Sequence, residues 1–426
     1  MGTTGFFIAR GWQTLVLARL LGQKCSEKRA SAGVWLFYFL YIWLAICKEN
    51  CYYLYMLSKR VKKSPVSLQD QFRLPPLPVP DSVELETPAV LRLAARAHRA
   101  LAELKGAVAT IPNETILIDT LALQEAKDSS AIEDIVTTED DLFQGDVLSG
   151  QFPSAAAKEV HRYAAALKIG LMRVREQRFL RLSDVLEIQS ALEHNRAGLR
   201  KLPGTILKNQ QTGEVVYQPP QDPAEIQKLM SNFLEHFHQD ETGGIDPLVR
   251  MAVLHYQFES IHPFYDGNGR TGRILNLLHL VLHGLLDLPV LYLSRYIVRN
   301  KPDYYRGLQA VRDQDAWEAW ILYMLRAVEE TSRETLTKVR GIRDLMQSTK
   351  QRLRSDLPKL YSQDLLNNLF RHPYTKIEFI ERDLAVSRPT ATKYLAALEK
   401  GGFVRKMKLG RNSFYVNQAL FDLLRE

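Results

Sequence analysis

The chain has 426 residues, 46% of them hydrophobic, enough for two or three cores, with a formal net charge of +8. That charge is local: residues 1–65 hold ten Lys/Arg against two Asp/Glu, so the remainder sums to zero. All three cysteines (Cys25, Cys47 and Cys51) also lie there; this excludes a disulfide framework or cysteine metal site from the rest and is compatible with a reducing cytoplasm.

Within residues 1–65, Gly33 to Cys47 is an apolar run preceded by Lys24, Lys28 and Arg29. Lys48-Glu49-Asn50 cuts it short of the roughly twenty residues a membrane span needs. Three readings stand: an anchor extended by residues 51–57, an export signal without an obvious small-residue cleavage site, or translated sequence upstream of the true start. The change in charge and cysteine usage near Pro65 favours the last. The expected location is cytoplasmic; a real anchor would leave the body of the protein cytoplasmic.

Residues 66–80 read as a Pro-rich linker, with Leu74-Pro75-Pro76-Leu77-Pro78-Val79-Pro80 predicting extended polyproline structure. Residues 81–150 carry helical patterns such as Leu91, Ala94, Ala95, His98, Leu101 and Ala102. Near their end, Ser130-x-x-Glu133 has the form of a helix-starting capping box. Residues 202–214 combine Gly, Asn and Thr-Gly turn signals with a short apolar run, as either a hairpin or a plain surface loop would.

The most informative stretch runs from His262 to Arg273. The periodicity of Leu248, Met251, Ala252, His255 and Phe258 predicts a helix over 247–261 that Pro263 ends. Ile274, Leu277, Leu278, Val281, Leu282 and Leu285 predict a second, largely buried helix. Gly267-Asn268-Gly269 then forms the turn that opens a helix. Unpaired amides and the positive end of the helix dipole make such a turn an anion site. With His262 as a base, Asp266 as a carboxylate, and Arg270 and Arg273 as anion clamps, the stretch suits phosphoryl or nucleotidyl transfer.

The same residues match, without a departure, the signature His-Pro-Phe-x-Asp/Glu-Gly-Asn-Gly-Arg-x-x-Arg. The chain therefore resembles the Fic family. The resemblance implies a mainly α fold: a Fic helical bundle over residues 151–345 with a short β-hairpin flap. It further implies an enzyme, a protein adenylyltransferase that moves AMP from ATP to Ser, Thr or Tyr hydroxyls, with self-modification among its outcomes. Within that reading His262 is the general base. Asp266 holds Mg²⁺. Gly267, Asn268 and Gly269 take the α-phosphate. Arg270 and Arg273 clamp the other phosphates.

Three further assignments follow from the resemblance. Gly204, Thr205, Ile206 and Leu207 fall where the family places its flap, which docks a target segment through main-chain hydrogen bonds. Tyr304 and Tyr305, in the run Asn300 to Leu308, fall at the adenine pocket, although paired helical tyrosines also serve packing. Ser129 to Glu133 fits an inhibitory helix motif, Ser/Thr-x-x-x-Glu-Gly/Asn, whose glutamate pairs with the second signature arginine, Arg273. Asp134 departs from the usual Gly or Asn, which puts the helix-ending geometry in doubt. In related enzymes the same glutamate could orient water for AMP removal.

A long polar helix is predicted over about Trp317 to Leu353. Residues 356–426 then read as a separate module similar to winged helix-turn-helix domains. Leu365, Leu366 and Leu369 mark one helix; 377–384 and 388–400 make the next two; 403–409 and 413–417 flank Gly410-Arg411-Asn412 like a hairpin. Arg388, Thr390, Thr392 and Lys393, with Arg405, Lys406, Lys408 and Arg411, suit DNA, whereas a dimerisation or target-binding role leaves them solvated. The expected partners are ATP, a protein substrate with an exposed hydroxyl, a second copy of the chain and, through residues 356–426, DNA. A DNA-binding regulator carrying a Fic domain is the alternative to a bare enzyme.

Overall fold

The structure is a computed structural model, and it describes residues 74–147, 152–208, 212–239, 244–409 and 412–425. The expectations for residues 1–65 lie outside the described residues. Helices dominate, and short polar caps start most of them. Thr87 caps α1 (Pro88–Val108), Asn113 caps α2 (Glu114–Ile132), and α3 (Glu139–Val147) follows. Ser154 caps α4 (Ala155–Gln177), and α5 (Leu182–Glu193) opens where the Arg181 amide donates to Asp184 at 2.7 Å. Each capping side chain accepts an amide that the first helical turn leaves unpaired.

A hairpin of β1 (Leu207–Lys208) and β2 (Val215–Tyr217) pairs Leu207 with Tyr217 and Lys208 with Val215, with a register shift between them. Asp222-Pro223 and Asp246-Pro247 then start α6 (Pro223–Phe237) and α7 (Pro247–Ile261), combining a capping carboxylate with proline at the first position. After α7 come α8 (Asn268–Leu282), α9 (Leu293–Arg299), α10 (Lys301–Gln314) and α11 (Trp317–Asp356). Helices α7 and α8 are buried on nearly every face and form the bundle centre, wrapped by α4, α6 and α11. The indole of Trp320 locks α11 to this centre, its N–H donating to the Ala252 carbonyl at 2.8 Å.

Helix α11 has 40 residues, about 60 Å at 1.5 Å per residue. It runs unbroken through residues 345–356, so the bundle and the C-terminal module share one continuous helix. That module contains α12 (Gln363–Arg371), β3 (Tyr374–Thr375), α13 (Ile377–Leu384), α14 (Arg388–Lys400), β4 (Arg405–Leu409), β5 (Asn412–Val416) and α15 (Gln418–Arg425). Its antiparallel sheet has the order β3-β5-β4, pairing Tyr374 with Val416 and Met407 with Phe414. The helix pair and hairpin fall where the periodicity predicts them; strand β3, only two residues long, carries no alternation to read.

The module is seated on α2 and α3. Arg371 Nε lies 2.5 Å from Asp119 on α2, which also meets Lys168 at 2.5 Å. Tyr374 donates to Asp140 at 2.5 Å, and its ring stacks on Phe143. Arg388, at the start of α14, is paired with Glu378 at 3.0 Å and Glu381 at 3.4 Å. The first cation of the proposed DNA-reading helix is thus neutralised within the module.

One linker expectation is corrected. Residues 74–80 are not a free lead-in: Leu74 and Leu77 are buried in the core. Asn232 accepts from the Leu77 amide at 2.7 Å and donates to its carbonyl at 2.9 Å, and Gln257 donates to Pro75 O at 2.9 Å. Extended polyproline backbone makes no hydrogen bonds of its own, and here side chains of α6 and α7 satisfy the Leu77 amide and the Leu77 and Pro75 carbonyls.

Candidate active site

The signature begins where α7 is forced to stop. Pro263 disfavours the helical region for the residue before it and so ends α7; His262 caps the helix in a left-handed conformation, φ 48° and ψ 58°. A non-glycine residue pays about 1–2 kcal/mol there, so the loop needs fixing from outside. Arg200 supplies it. Its Nε donates to His262 O at 2.7 Å, its Nη2 to Ile261 O at 3.3 Å and Pro220 O at 2.9 Å, and its amide to Pro263 O at 2.9 Å.

Asn268 closes the other side of the loop. Its Oδ1 accepts from the Phe264 amide and its Nδ2 donates to the Phe264 carbonyl, both at 2.8 Å. Both polar atoms of the side chain thus bond the loop backbone, and the second Nδ2 hydrogen remains a donor. Gly267 is the N-cap of α8 with φ 74°, and a Cβ there would lie 2.3 Å from Glu193 Oε1. The Thr271 amide already bonds Gly267 O at 2.9 Å. The amides of Asn268, Gly269 and Arg270 therefore stand at the helix entrance with no acceptor inside the helix, the geometry of an anion cradle.

His262 is half-buried. Burial pushes its pKa down to about 4, helped by the charges of Arg200 and Arg312, while the Glu259 carbonyl and Asp266 act the other way. At neutral pH the imidazole is uncharged and holds a lone pair. Asp266 is exposed and accepts from the Gly267 amide at 2.8 Å, and its carbonyl takes Gln189 Nε2 at 3.3 Å. Among the described residues no group of three or more His, Cys, Asp or Glu is placed to hold a metal. One exposed carboxylate beside an anion cradle fits Mg²⁺ that arrives on nucleotide phosphates, because Mg²⁺ is satisfied by one or two carboxylates plus phosphate oxygens.

Both signature arginines are buried and paired with acids. Glu133 stands at the C-cap of α2, not at a helix start, which corrects the capping-box reading of Ser130 and Glu133. Its Oε1 accepts from Arg273 Nη2 at 2.8 Å, and its Oε2 lies 2.7 Å from Arg270 Nε as an ionic contact. Arg273 also donates to Ser129 Oγ at 2.7 Å and Ser129 O at 2.9 Å. Burial lowers the Arg273 pKa, but Glu133 and then the neighbouring tyrosines outweigh it, so the net shift is upward. Arg270 additionally meets Glu159 at 3.1 Å and Glu193 at 2.9 Å, so each guanidinium nitrogen has its own carboxylate. Asp134 ends α2 with φ 62°, a conformation aspartate tolerates, and pairs with Lys301 at 2.8 Å. The departure from Gly or Asn leaves the helix end intact.

The two tyrosines separate. Tyr304 is 2% exposed, packs against Trp320 and Tyr323, and shares a 2.8 Å hydrogen bond with His255 Nε2. It is a core residue, and the expectation that it lines an open adenine pocket does not fit that burial. Tyr305 is 49% exposed; burial raises its hydroxyl pKa and Arg273 opposes, which places it in the field of the arginine site. In the flap segment only Leu207 joins a strand. The Gly204 amide and the Thr205 carbonyl are tied to the Gln221 side chain at 2.6 and 3.0 Å, and Ile206, Val215 and Val216 are exposed.

Sequence reasoning missed Arg200, Glu159 and Glu193. No motif marks any of them among the other charged residues of their segments; only the approach of α4, α5 and the pre-flap loop to the His262–Arg273 segment reveals them.

Comparison with known proteins agrees with this geometry. The description "Fic/DOC family" matches residues 179–280, "Fic/DOC family N-terminal" matches 91–172, and "Protein adenylyltransferase SoFic-like, C-terminal domain" matches 345–420. The chain belongs to the Fic family. Among curated Fic relatives, "Protein adenylyltransferase fic-1" of Caenorhabditis elegans is 33% identical over 89 residues, covering 21% of this chain and 16% of that protein. "Protein adenylyltransferase Fic" of Aedes aegypti is 31% identical over 153 residues, covering 35% and 28%. The matched stretch thus spans under a third of either relative's length. A Fic family protein from Desulfovibrio desulfuricans G20 shares the fold, with a TM-score of 0.51 at 20% identity over 81% of this chain and 98% of that one.

Proposed function

We propose that this Fic protein transfers AMP from ATP to a Ser, Thr or Tyr hydroxyl of a target protein, and that Glu133 restrains it in cis. The observation carrying the reading is a neutral imidazole beside a helix-entrance amide cradle whose two arginines are both occupied by one glutamate.

In the reaction, the target hydroxyl gives its proton to the His262 imidazole as its oxygen attacks the α-phosphorus. A bond forms from hydroxyl oxygen to phosphorus, and the bond to the bridging oxygen breaks, releasing pyrophosphate. The amides of Asn268, Gly269 and Arg270 stabilise charge on the non-bridging oxygens, and Arg273 grips the outer phosphates once Glu133 leaves it. Asp266 would hold Mg²⁺ brought in on the nucleotide, which would supply positive charge to the pyrophosphate leaving group. The hairpin aligns the target main chain along its exposed edge. The C-terminal module reads as a winged helix; the internal pairing of Arg388 favours a protein-contact role over DNA reading.

The test is incorporation of label from α-labelled ATP with Mg²⁺ into proteins of a cell lysate. Glu133→Gly protein is expected to label at least one protein band more strongly than wild type. Equal labelling by both would remove the inhibitory role of Glu133.

A further inference from the structure

Arg200 is 1% exposed, yet forms no ion pair among the described residues. Burial lowers its pKa, the signature of a cation held where water does not reach. A buried guanidinium without a carboxylate is costly, so its surroundings must repay the desolvation. They do so with carbonyls. Ile261 O and His262 O belong to the C-terminal end of α7, where helical carbonyls lack partners and the helix dipole favours positive charge. The third carbonyl, Pro220 O at 2.9 Å, belongs to the far end of the flap, whose near end begins at Lys201.

Arg200 therefore touches three things at once: the base residue's own carbonyl, the helix end that carries it, and both roots of the hairpin. Tyr265 adds a second stitch, its hydroxyl accepting from the Lys201 and Leu202 amides at 2.9 and 3.1 Å. The phosphate cradle has its own tie: Asn268 fixes it to Phe264 by two hydrogen bonds that do not involve Arg200. A planar fork of fixed donors can hold several carbonyls in one geometry, which the single ammonium of lysine cannot.

We propose that Arg200 is the positioning residue that keeps the His262 base and the target-binding flap in fixed relation, so that its loss lowers AMP transfer while ATP binding persists. The inference rests on the AMP-transfer reading, and the test separates the two. Glu133→Gly protein serves as the parent, with Arg200→Lys and Arg200→Met made in it. ATP affinity with Mg²⁺ is measured by calorimetry, and transfer is measured as initial label incorporation from saturating α-labelled ATP into a cell lysate. Tryptic cleavage at exposed Lys208 reports the flap independently of activity.

The expected result is ATP affinity within about threefold of the parent in both variants, with transfer reduced more than tenfold and Lys208 cleaved faster. Lysine retains the charge, so its failure to restore transfer assigns the role to the fork. Transfer within twofold of the parent overturns the inference and leaves the AMP-transfer reading standing. A parallel loss of ATP affinity and transfer also overturns it, because Arg200 would then support the whole site. A parent that labels nothing contradicts the functional reading, and this inference with it.

Discussion

Glu133 and Arg273 meet at 2.8 Å across 140 residues of sequence, joining the end of α2 to the first turns of α8. Because the other oxygen of Glu133 reaches Arg270, one side chain occupies both arginines proposed to meet the outer phosphates. Removing it is expected to tighten ATP binding by roughly 10- to 100-fold, since a hydrogen bond to a charged group is worth about 1.5–3 kcal/mol. Calorimetry of wild type against Glu133→Gly with Mg²⁺ checks this; equal affinities would mean the arginines do not serve the nucleotide.

Gly267 fixes the cradle's shape. Gly267→Ala places a Cβ against Glu193 in a left-handed backbone, and should destabilise the protein by about 2 kcal/mol from the backbone cost alone. A urea midpoint unchanged from wild type would show that the turn relaxes freely.

The tyrosines are distinguished by complementary losses. Tyr304→Phe leaves the buried His255 nitrogen without its partner, an expected cost of about 1–3 kcal/mol in stability with little change in ATP affinity. Tyr305→Ala should weaken ATP binding and leave stability nearly intact, because its ring is half exposed. The reverse pattern in paired denaturation and binding experiments would move the adenine site to Tyr304.

The pH dependence follows from His262, whose folded pKa is about 4 against an ordinary value near 6.5. In the proposed reaction the neutral ring is the active form, so transfer by Glu133→Gly protein should hold steady as pH falls from 8 through 6.5. It should drop only as pH passes through about 4 to 5. The same depression means folding stability tied to this group is present above the unfolded value and lost as pH falls through the folded one. An acid limb centred near 6.5 in the kcat profile would show an imidazole open to solvent.

What was legible in the sequence is what lies close along it. The His262–Arg273 loop and helix were readable because Pro263, Gly267 and the 3.6-residue periodicity act on neighbours. The helices at 247–261 and 388–400 were readable for the same reason. The burial of Tyr304, the docking of Leu74 and Leu77, and the ring of Glu133, Glu159 and Glu193 around Arg270 depend on which helix faces which. Local propensity carries no trace of that. Ser130 and Glu133 show the cost: their spacing suits a helix start, but packing against α8 uses it at a helix end.

With His262 as general base, the proposed reaction moves the α-phosphate, as AMP, from ATP to a protein hydroxyl. Glu133→Gly protein should transfer label from α-labelled ATP and none from γ-labelled ATP, and adding His262→Ala should abolish the transfer. Label appearing from the γ position, or persisting without His262, would contradict it.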